Sequence, residues 1–341
     1  MPLRFVPNLI LCLLLSLSCS GKLPESVGPS QEILVLADLE DWKVLEQPLR
    51  EVFEKTILTP QEEKIFQIQL GSVGDFKDQK HDRRKNLLVI APIGAPHATA
   101  EFMRGLLGPQ VQERIRQGTS SVFWKEDIWA KDQLLITLSA KDLPTLVGHI
   151  RQEADRLYDS VEVARNKRIG QLIYRYGERQ DVTEQLKREF GWSFRVAFGY
   201  RILESKPDSG FVVLAKEEPS RWLFVFWEDG IGADKLSEDW CIQKRDEITG
   251  RFFDGDRIVP DNLEISQTNF NGKLAVSMRG LWENGRDWTG GPFQSYAFVD
   301  SETDRFYHID MGVFAPNKLK EPYLRQIDQM ARSFSLADQP R

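Results

Sequence analysis

The sequence predicts an α+β fold of mixed and antiparallel sheets with covering helices, arranged as two similar halves. Three observations carry this reading. Short runs such as "KIFQIQL" and "PFQSYAFVD" alternate polar and apolar residues with the two-residue period of half-buried strands. Amphipathic stretches separate only some of these runs, so turns join most of the strands and regular crossovers do not. Each half passes through mixed strands and ends in a hairpin followed by a helix, the pattern a duplication would leave.

The N-terminus carries one basic residue, Arg4, then an apolar core from Leu9 to Leu17 and small residues before Cys19. That is the pattern of a secretory signal over residues 1–18. The run falls short of the roughly 20 apolar residues that span a bilayer. Leu15, Ser16, Leu17 and Ser18 ahead of Cys19 resemble a lipobox, and the resemblance implies acylation of Cys19 and attachment to a membrane through an N-terminal lipid. Residues 19–32 hold two prolines and two glycines without periodicity and are expected to form a flexible tether.

The first half is expected over residues 33–165. "EILVLAD" is a buried-type strand, and "DWKVLEQPLREVFE" a helix that Pro48 should break or kink. The strands "KIFQIQL" and "NLLVIAP" follow. A helix from His97 to Gly118 is interrupted at Gly108-Pro109, with Gly118 as its C-terminal cap. "SSVFWKED" and "DQLLITLSA" make a hairpin. A Ser139–Asp142 capping box then opens a long helix whose apolar face is Leu143, Val147, Ile150, Ala154, Leu157 and Val161. The charge-rich "ARNKR", Ala164 to Arg168, marks the expected boundary.

The second half is expected over residues 166–337. Asp181 opens a helix with Val182, Leu186 and Phe190 on one face, ended by Gly191. The strands "SFRVAFGYRILES", "GFVVLAKE" and "RWLFVFWE" precede the helix "DKLSEDWCIQKRDEIT". Three more strands and a helix with Tyr323, Ile327, Met330 and Phe334 on its buried side complete the chain.

The densest stretch is "RGLWENGRDWTGGPFQSYAFVD", Arg279 to Asp300. Asn284-Gly285 is a strong type I′ hairpin signal, and Gly290-Gly291 lets the chain bend. "FWEDG" at Phe226–Gly230 echoes "LWENG", so Trp227 and Trp282 are read as sheet caps beside turns. Carboxylates beside tryptophans also define a candidate ligand site: Glu228, Trp282, Glu283, Asp287 and Trp288. Paired acids can cleave glycosidic bonds, and tryptophans can stack on ligands. This stretch, with "FAPNKLKEPYLRQID", "RRKNLLVI" and "EDIWAKDQLLITL", resembles a family of Bacteroidota envelope lipoproteins catalogued as a domain of unknown function, over about Ile33 to Leu336. The resemblance implies a cell-envelope location and supplies no catalytic residues.

Other chemistries find little support. A net charge of −6 gives no electrostatic footprint for nucleic acid. The basic "KDQKHDRRKN" also carries Asp78 and Asp82 and reads as a solvated loop. There is no P-loop or G-x-G-x-x-G for nucleotides. His81, His97, His149 and His308 are scattered, with no zinc motif, so neither a metal nor another cofactor is implied. His308 and Asp310 share a strand face, read as the polar side of an edge hairpin. With Cys12 removed and Cys19 acylated, Cys241 is left as a lone buried thiol without a disulfide. The chain is thus expected to be a membrane-anchored envelope lipoprotein, periplasm-facing or on the cell surface, that binds or scaffolds a protein or glycan without catalysis. The alternative is a hydrolase or glycan-binding protein acting on an envelope polymer.

Overall fold

The computed structural model describes residues 22–76, 81–119 and 121–337; the signal segment and Cys19 lie outside the described residues. The N-terminal half contains β1 (Glu32–Leu36), α1 (Leu39–Phe53), β2 (Thr56–Ile57), β3 (Glu63–Lys64), β4 (Gln67–Gly71), β5 (Asn86–Pro92), α2 (Ala98–Leu106), α3 (Pro109–Arg116), β6 (Val122–Glu126), β7 (Leu134–Ala140), α4 (Leu143–Gln152) and α5 (Ala154–Ile173). Its main sheet has the order β4-β1-β5-β7-β6, parallel throughout except for β6. β5 and β7 are buried at every position, as strands covered on both faces must be. Val35, Leu88, Ile90 and Ile136 pack with Leu45, Ile150 and Leu157 of the helices on one face. Leu36, Leu87, Val89 and Leu135 pack with Met103 and Ile115 on the other.

Several local expectations change. α1 runs through Pro48; the carbonyl that the proline leaves free belongs to Val44, which is exposed to water. The cap of α4 is Asp142, whose Oδ1 accepts from Thr145 N at 2.8 Å, while Ser139 lies in β7 and donates to Ala91 O. The expected tether is fastened from Pro24 onward. Lys131 N donates to Pro24 O and Val27 N to Arg83 O, both at 2.8 Å. Arg83 reaches Glu25 O, Lys85 reaches Gly28 O, and Asn86 reaches Ser30 O. "RRKN" is therefore the strap's anchor and not a solvated loop.

The C-terminal half contains α6 (Gln180–Phe190), β8 (Trp192–Ser193), β9 (Arg201–Lys206), β10 (Phe211–Lys216), β11 (Ser220–Asp229), α7 (Glu238–Phe252), β12 (Arg257–Phe270), β13 (Lys273–Asn284), β14 (Thr289–Asp300), β15 (Arg305–Phe314), α8 (Glu321–Ala331) and β16 (Ser335–Leu336). Seven strands form an antiparallel sheet in the order β12-β13-β14-β15-β11-β10-β9. The unanticipated strand is β12, whose period is broken by a register shift between Ile258 and Leu263, around Pro260. One sheet face carries Phe224, Met278, Phe293 and Phe306 against Cys241 and Ile248 of α7. The other carries Val225, Tyr296, Phe298, Ile309 and Met311 and joins the core of the N-terminal half. The fold is α+β. A mostly parallel sheet and an antiparallel one are not copies of each other, so the expected similarity of the halves is not met.

The boundary also moves. α5 is unbroken across residues 165 and 166, and "ARNKR" lies inside it. Arg165, 1% exposed, reaches across to α8, with Nη2 to Glu321 Oε2 at 2.6 Å and Nη1 to Glu321 Oε1 at 3.0 Å. Arg168 is buried against Asn86 Oδ1 at 2.6 Å. Glu63 accepts from Lys320 N and Glu321 N at 2.9 Å, so a residue of the first half caps α8. Charge placed on the inward stripe of α5 thus ties the halves together. Replacing Glu321 by Ala leaves the Arg165 guanidinium buried and unpaired. It should cost about 3–5 kcal/mol in urea denaturation, whereas Arg165→Met combined with Glu321→Leu should lie much closer to wild type.

Candidate functional site

The candidate residues of the opening stretch do not form one site. Trp282 is 5% exposed and packs on Trp222 at 5.3 Å between ring centres. Glu283 pairs with Arg257, and Glu228 pairs with Lys244 at 2.7 Å. Asp287 is exposed on the β13–β14 loop beside Trp288, which is 92% exposed. Glu283 lies opposite Gly290 of β14, whereas Glu228 lies opposite Phe306, itself opposite Val299. Nine residues of strand place these acids about 30 Å apart along the sheet. Of the nine tryptophans, only Trp288 is exposed, so no row of stacking platforms exists.

The turn differs as well. Neither Asn284 nor Gly285 has a positive φ; a four-residue loop, 285–288, joins the strands, with Trp288 at φ 53°. Asn284 is buried. Its Oδ1 accepts from Arg286 N, and its Nδ2 donates to Asp256 Oδ1 at 2.7 Å, so its side chain builds the loop. Gly291 is where the motif needs glycine: a Cβ there would stand 2.1 Å from Val313 O.

His308 and Asp310 are wholly buried in β15, a central strand, and not on an edge hairpin. Asp310 Oδ2 accepts from Arg245 Nε at 2.7 Å, and burial lowers the affinity of His308 for a proton. Asp256 lies nearby. Burial pushes its carboxyl up to about 6, with Asp310 and Asp254 adding to the rise and Asn284 and Arg245 opposing it. Cys241 is buried, and burial pushes its thiol up to about 11. Among the described residues no group of three or more metal-ligating side chains converges.

A larger opening lies where the halves meet: a cleft of about 530 Å³ lined from β2, α5, β13, β14 and α8. Its polar wall carries two hydrogen-bond networks, one around Arg325 and one around Asp328. Arg325 donates to Glu321 Oε1 at 2.7 Å, Glu162 Oε1 at 2.8 Å and Asn166 Oδ1 at 2.9 Å. Asp328 Oδ1 accepts from Tyr296 Oη at 2.6 Å and Gln294 Nε2 at 3.1 Å, and its Oδ2 accepts from Arg332 Nε at 2.8 Å. Burial and the Asp328 charge push the Tyr296 hydroxyl upward, and burial with Glu162 pushes Tyr158 up to about 12. No residue of this cleft was singled out from sequence. The available signal was the stripe Leu157, Val161, Arg165, Arg168, where the apolar face of α5 turns into arginine at helical spacing.

The molecule is thus a two-unit α+β protein with a polar cleft at its junction. Residues 26–173 match a family model described as Domain of unknown function (DUF8532), and residues 179–333 match one described as Domain of unknown function (DUF4837). Each half thus matches one domain of unknown function, and the two matches meet after α5. A segment of 115 residues, 34% of this chain, is 30% identical to a transcriptional regulator MraZ of Idiomarina loihiensis and spans 66% of it. Solved structures resemble parts of the chain weakly. A Bacteroides thetaiotaomicron protein matches 43% of this chain and 46% of its own length at TM-score 0.29 and 8% identity. The Saccharomyces cerevisiae Ran-binding protein Mog1p matches 43% and 91% at 0.31 and 13%. LpqN of Mycobacterium tuberculosis, described as involved in cell envelope biogenesis, matches 42% and 82% at 0.28 and 10%. These values carry no argument about function.

Two outcomes follow. Gly291→Ala should cost about 1–3 kcal/mol in chemical denaturation because backbone blocks the new methyl, whereas Gly285→Ala, with open space around it, should change stability by less than about 0.5 kcal/mol. Asp256 holds its proton more tightly in the folded than in the unfolded chain, so its contribution is full below about pH 4 and lost as pH rises through 6. Between those pH values wild type should lose roughly 2–3 kcal/mol relative to Asp256→Asn, read from urea midpoints.

Proposed function

We propose that the chain is a cell-envelope lipoprotein, anchored to a membrane through Cys19, that acts by binding a ligand in the junction cleft and not by catalysis. One observation carries the binding reading. Every carboxylate lining the cleft is already held by a guanidinium: Glu162 and Glu321 by Arg325, and Asp328 by Arg332. A general acid or base needs a proton affinity suited to its task and an open face toward substrate; these carboxylates are engaged as positioning groups instead. A glycosidase would bring two acids within about 5–10 Å of each other. Glu228 and Glu283, at opposite ends of the sheet, do not favour that alternative. The anchoring part rests on the apolar run before Cys19, and the strap from Pro24 would hold the domain a short distance from the lipid.

Expression with a labelled fatty acid tests the anchor. Wild type should incorporate label and sediment with membranes, and Cys19→Ser should do neither; equal membrane recovery of the variant would remove the anchor from the account. Gln329→Trp, which fills the cleft from α8, tests the binding part. It should abolish the cellular role with the melting temperature preserved, while alanine at Glu228, Glu283 and Asp287 should leave that role intact.

A further inference from the structure

We propose that the junction cleft recognises an oxyanion, a carboxylate or phosphate borne on a small partly apolar ligand, with Arg279 as its anchor and Lys55 as its second cation. The inference rests on the reading of the cleft as the binding site and names the chemistry it selects.

The charge inventory leads there. Four cationic side chains line the cleft, Lys55, Arg279, Arg325 and Arg332, against three carboxylates, Glu162, Glu321 and Asp328. Arg325 and Arg332 engage all three carboxylates, and Arg165 engages Glu321 from beneath. Arg279 and Lys55 are left, and among the described residues neither enters an ion pair. A cationic ligand would find no free carboxylate on this wall, whereas an anionic one finds two unneutralised cations.

Arg279 is held as an anchor would be. It projects from β13 opposite Gln294 of β14, and its Nη2 donates to Gln294 Oε1 at 3.3 Å. The Gln294 amide cannot turn away, because its Nε2 donates to Asp328 Oδ1 and to Tyr296 Oη. On the β12 side Arg279 lies in register with Glu264, which does not reach ion-pair distance. Its Nε is buried without a partner. Among the described residues the guanidinium makes no side-chain hydrogen bond besides that to Gln294, which leaves its fork otherwise unengaged, and such a fork matches the paired oxygens of a carboxylate or phosphate. Lys55 supplies charge from the exposed rim, its ammonium 3.9 Å from the centre of the Tyr158 ring. Ile57, Ile65 and Leu324 give the same cleft an apolar wall. Its size falls within the ~300–1,000 Å³ typical of small-molecule sites.

The test is isothermal titration of the purified full-length chain in non-ionic detergent at fixed ionic strength. The probes are phenyl phosphate, benzoate and, as the opposite charge on the same ring, benzamidine. Phenyl phosphate or benzoate should bind saturably, the stronger one identifying the oxyanion, and benzamidine should not bind. Arg279→Gln should weaken the oxyanion about tenfold or more, the loss expected of a charge-assisted hydrogen bond. Lys55→Gln, an exposed change that the fold tolerates, should weaken it several-fold, and Arg279→Lys should recover only part of the loss. Absence of saturable oxyanion binding at millimolar concentration, equal affinity in Arg279→Gln, or equal binding of benzamidine would each overturn the inference. The cleft reading would fall separately, if Gln329→Trp left the cellular role intact.

Discussion

A guanidinium and a carboxylate buried together, Arg165 of α5 on Glu321 of α8, set the terms for the rest of this molecule. Both charges are almost wholly buried, so removing either leaves the other without compensation in a poorly solvated place, and the helices that carry them belong to different halves. Glu63, from the N-terminal half, adds a cap on the first amides of α8. Leu157 and Val161 of α5 then share one core with Leu324, Ile327 and Met330 of α8. The two family domains are therefore joined through a common interior and not by a linker alone. The cleft exists because polar side chains adjoining this contact, Arg325, Asp328 and Arg332, line a gap that the apolar core does not fill.

The stretch from Arg279 to Asp300 serves this arrangement as structure. Its strands are interior strands of the seven-stranded sheet, second and third from the β12 edge, and their alternate residues supply two different surroundings. Met278, Trp282 and Phe293 face α7, while Arg279, Gln294 and Tyr296 face the junction. The tryptophan that resembled a ligand platform is core, and Gly291 is small because Val313 O lies against it. The polar contacts of the motif come from the alternate residues, with Gln294 hydrogen-bonded to both Arg279 and Asp328.

Much of the fold was legible because it rests on period and punctuation. β5, α6 with its Gly191 cap, and the hairpin of β6 and β7 follow directly from short apolar runs, helical spacing and a left-handed glycine. What was lost has identifiable causes. β12 hides its period behind an irregularity at Ile258–Leu263. Asn284-Gly285 carries a hairpin signal, but Asp256 takes the asparagine side chain, a tertiary contact no local rule contains. "ARNKR" suggested a solvated boundary because charge runs usually are solvated; Arg165 is instead paired with Glu321, 156 positions away, and Arg168 is hydrogen-bonded to the Asn86 amide oxygen, 82 positions away. The cleft shares that cause. Its residues come from β2, α5, β13, β14 and α8, and only the fold brings them together.

The claim on which everything turns is that the two halves are one cooperative body. Urea unfolding of the full chain, followed by hydrogen exchange and mass spectrometry on peptides from β5 and from β14 in the same samples, tests it most directly. A shared core and a buried ion pair predict coincident transitions with one midpoint. Separate midpoints, with the β14 peptides protected after those of β5 have exchanged, would contradict it and reduce the cleft to a gap between two independent domains.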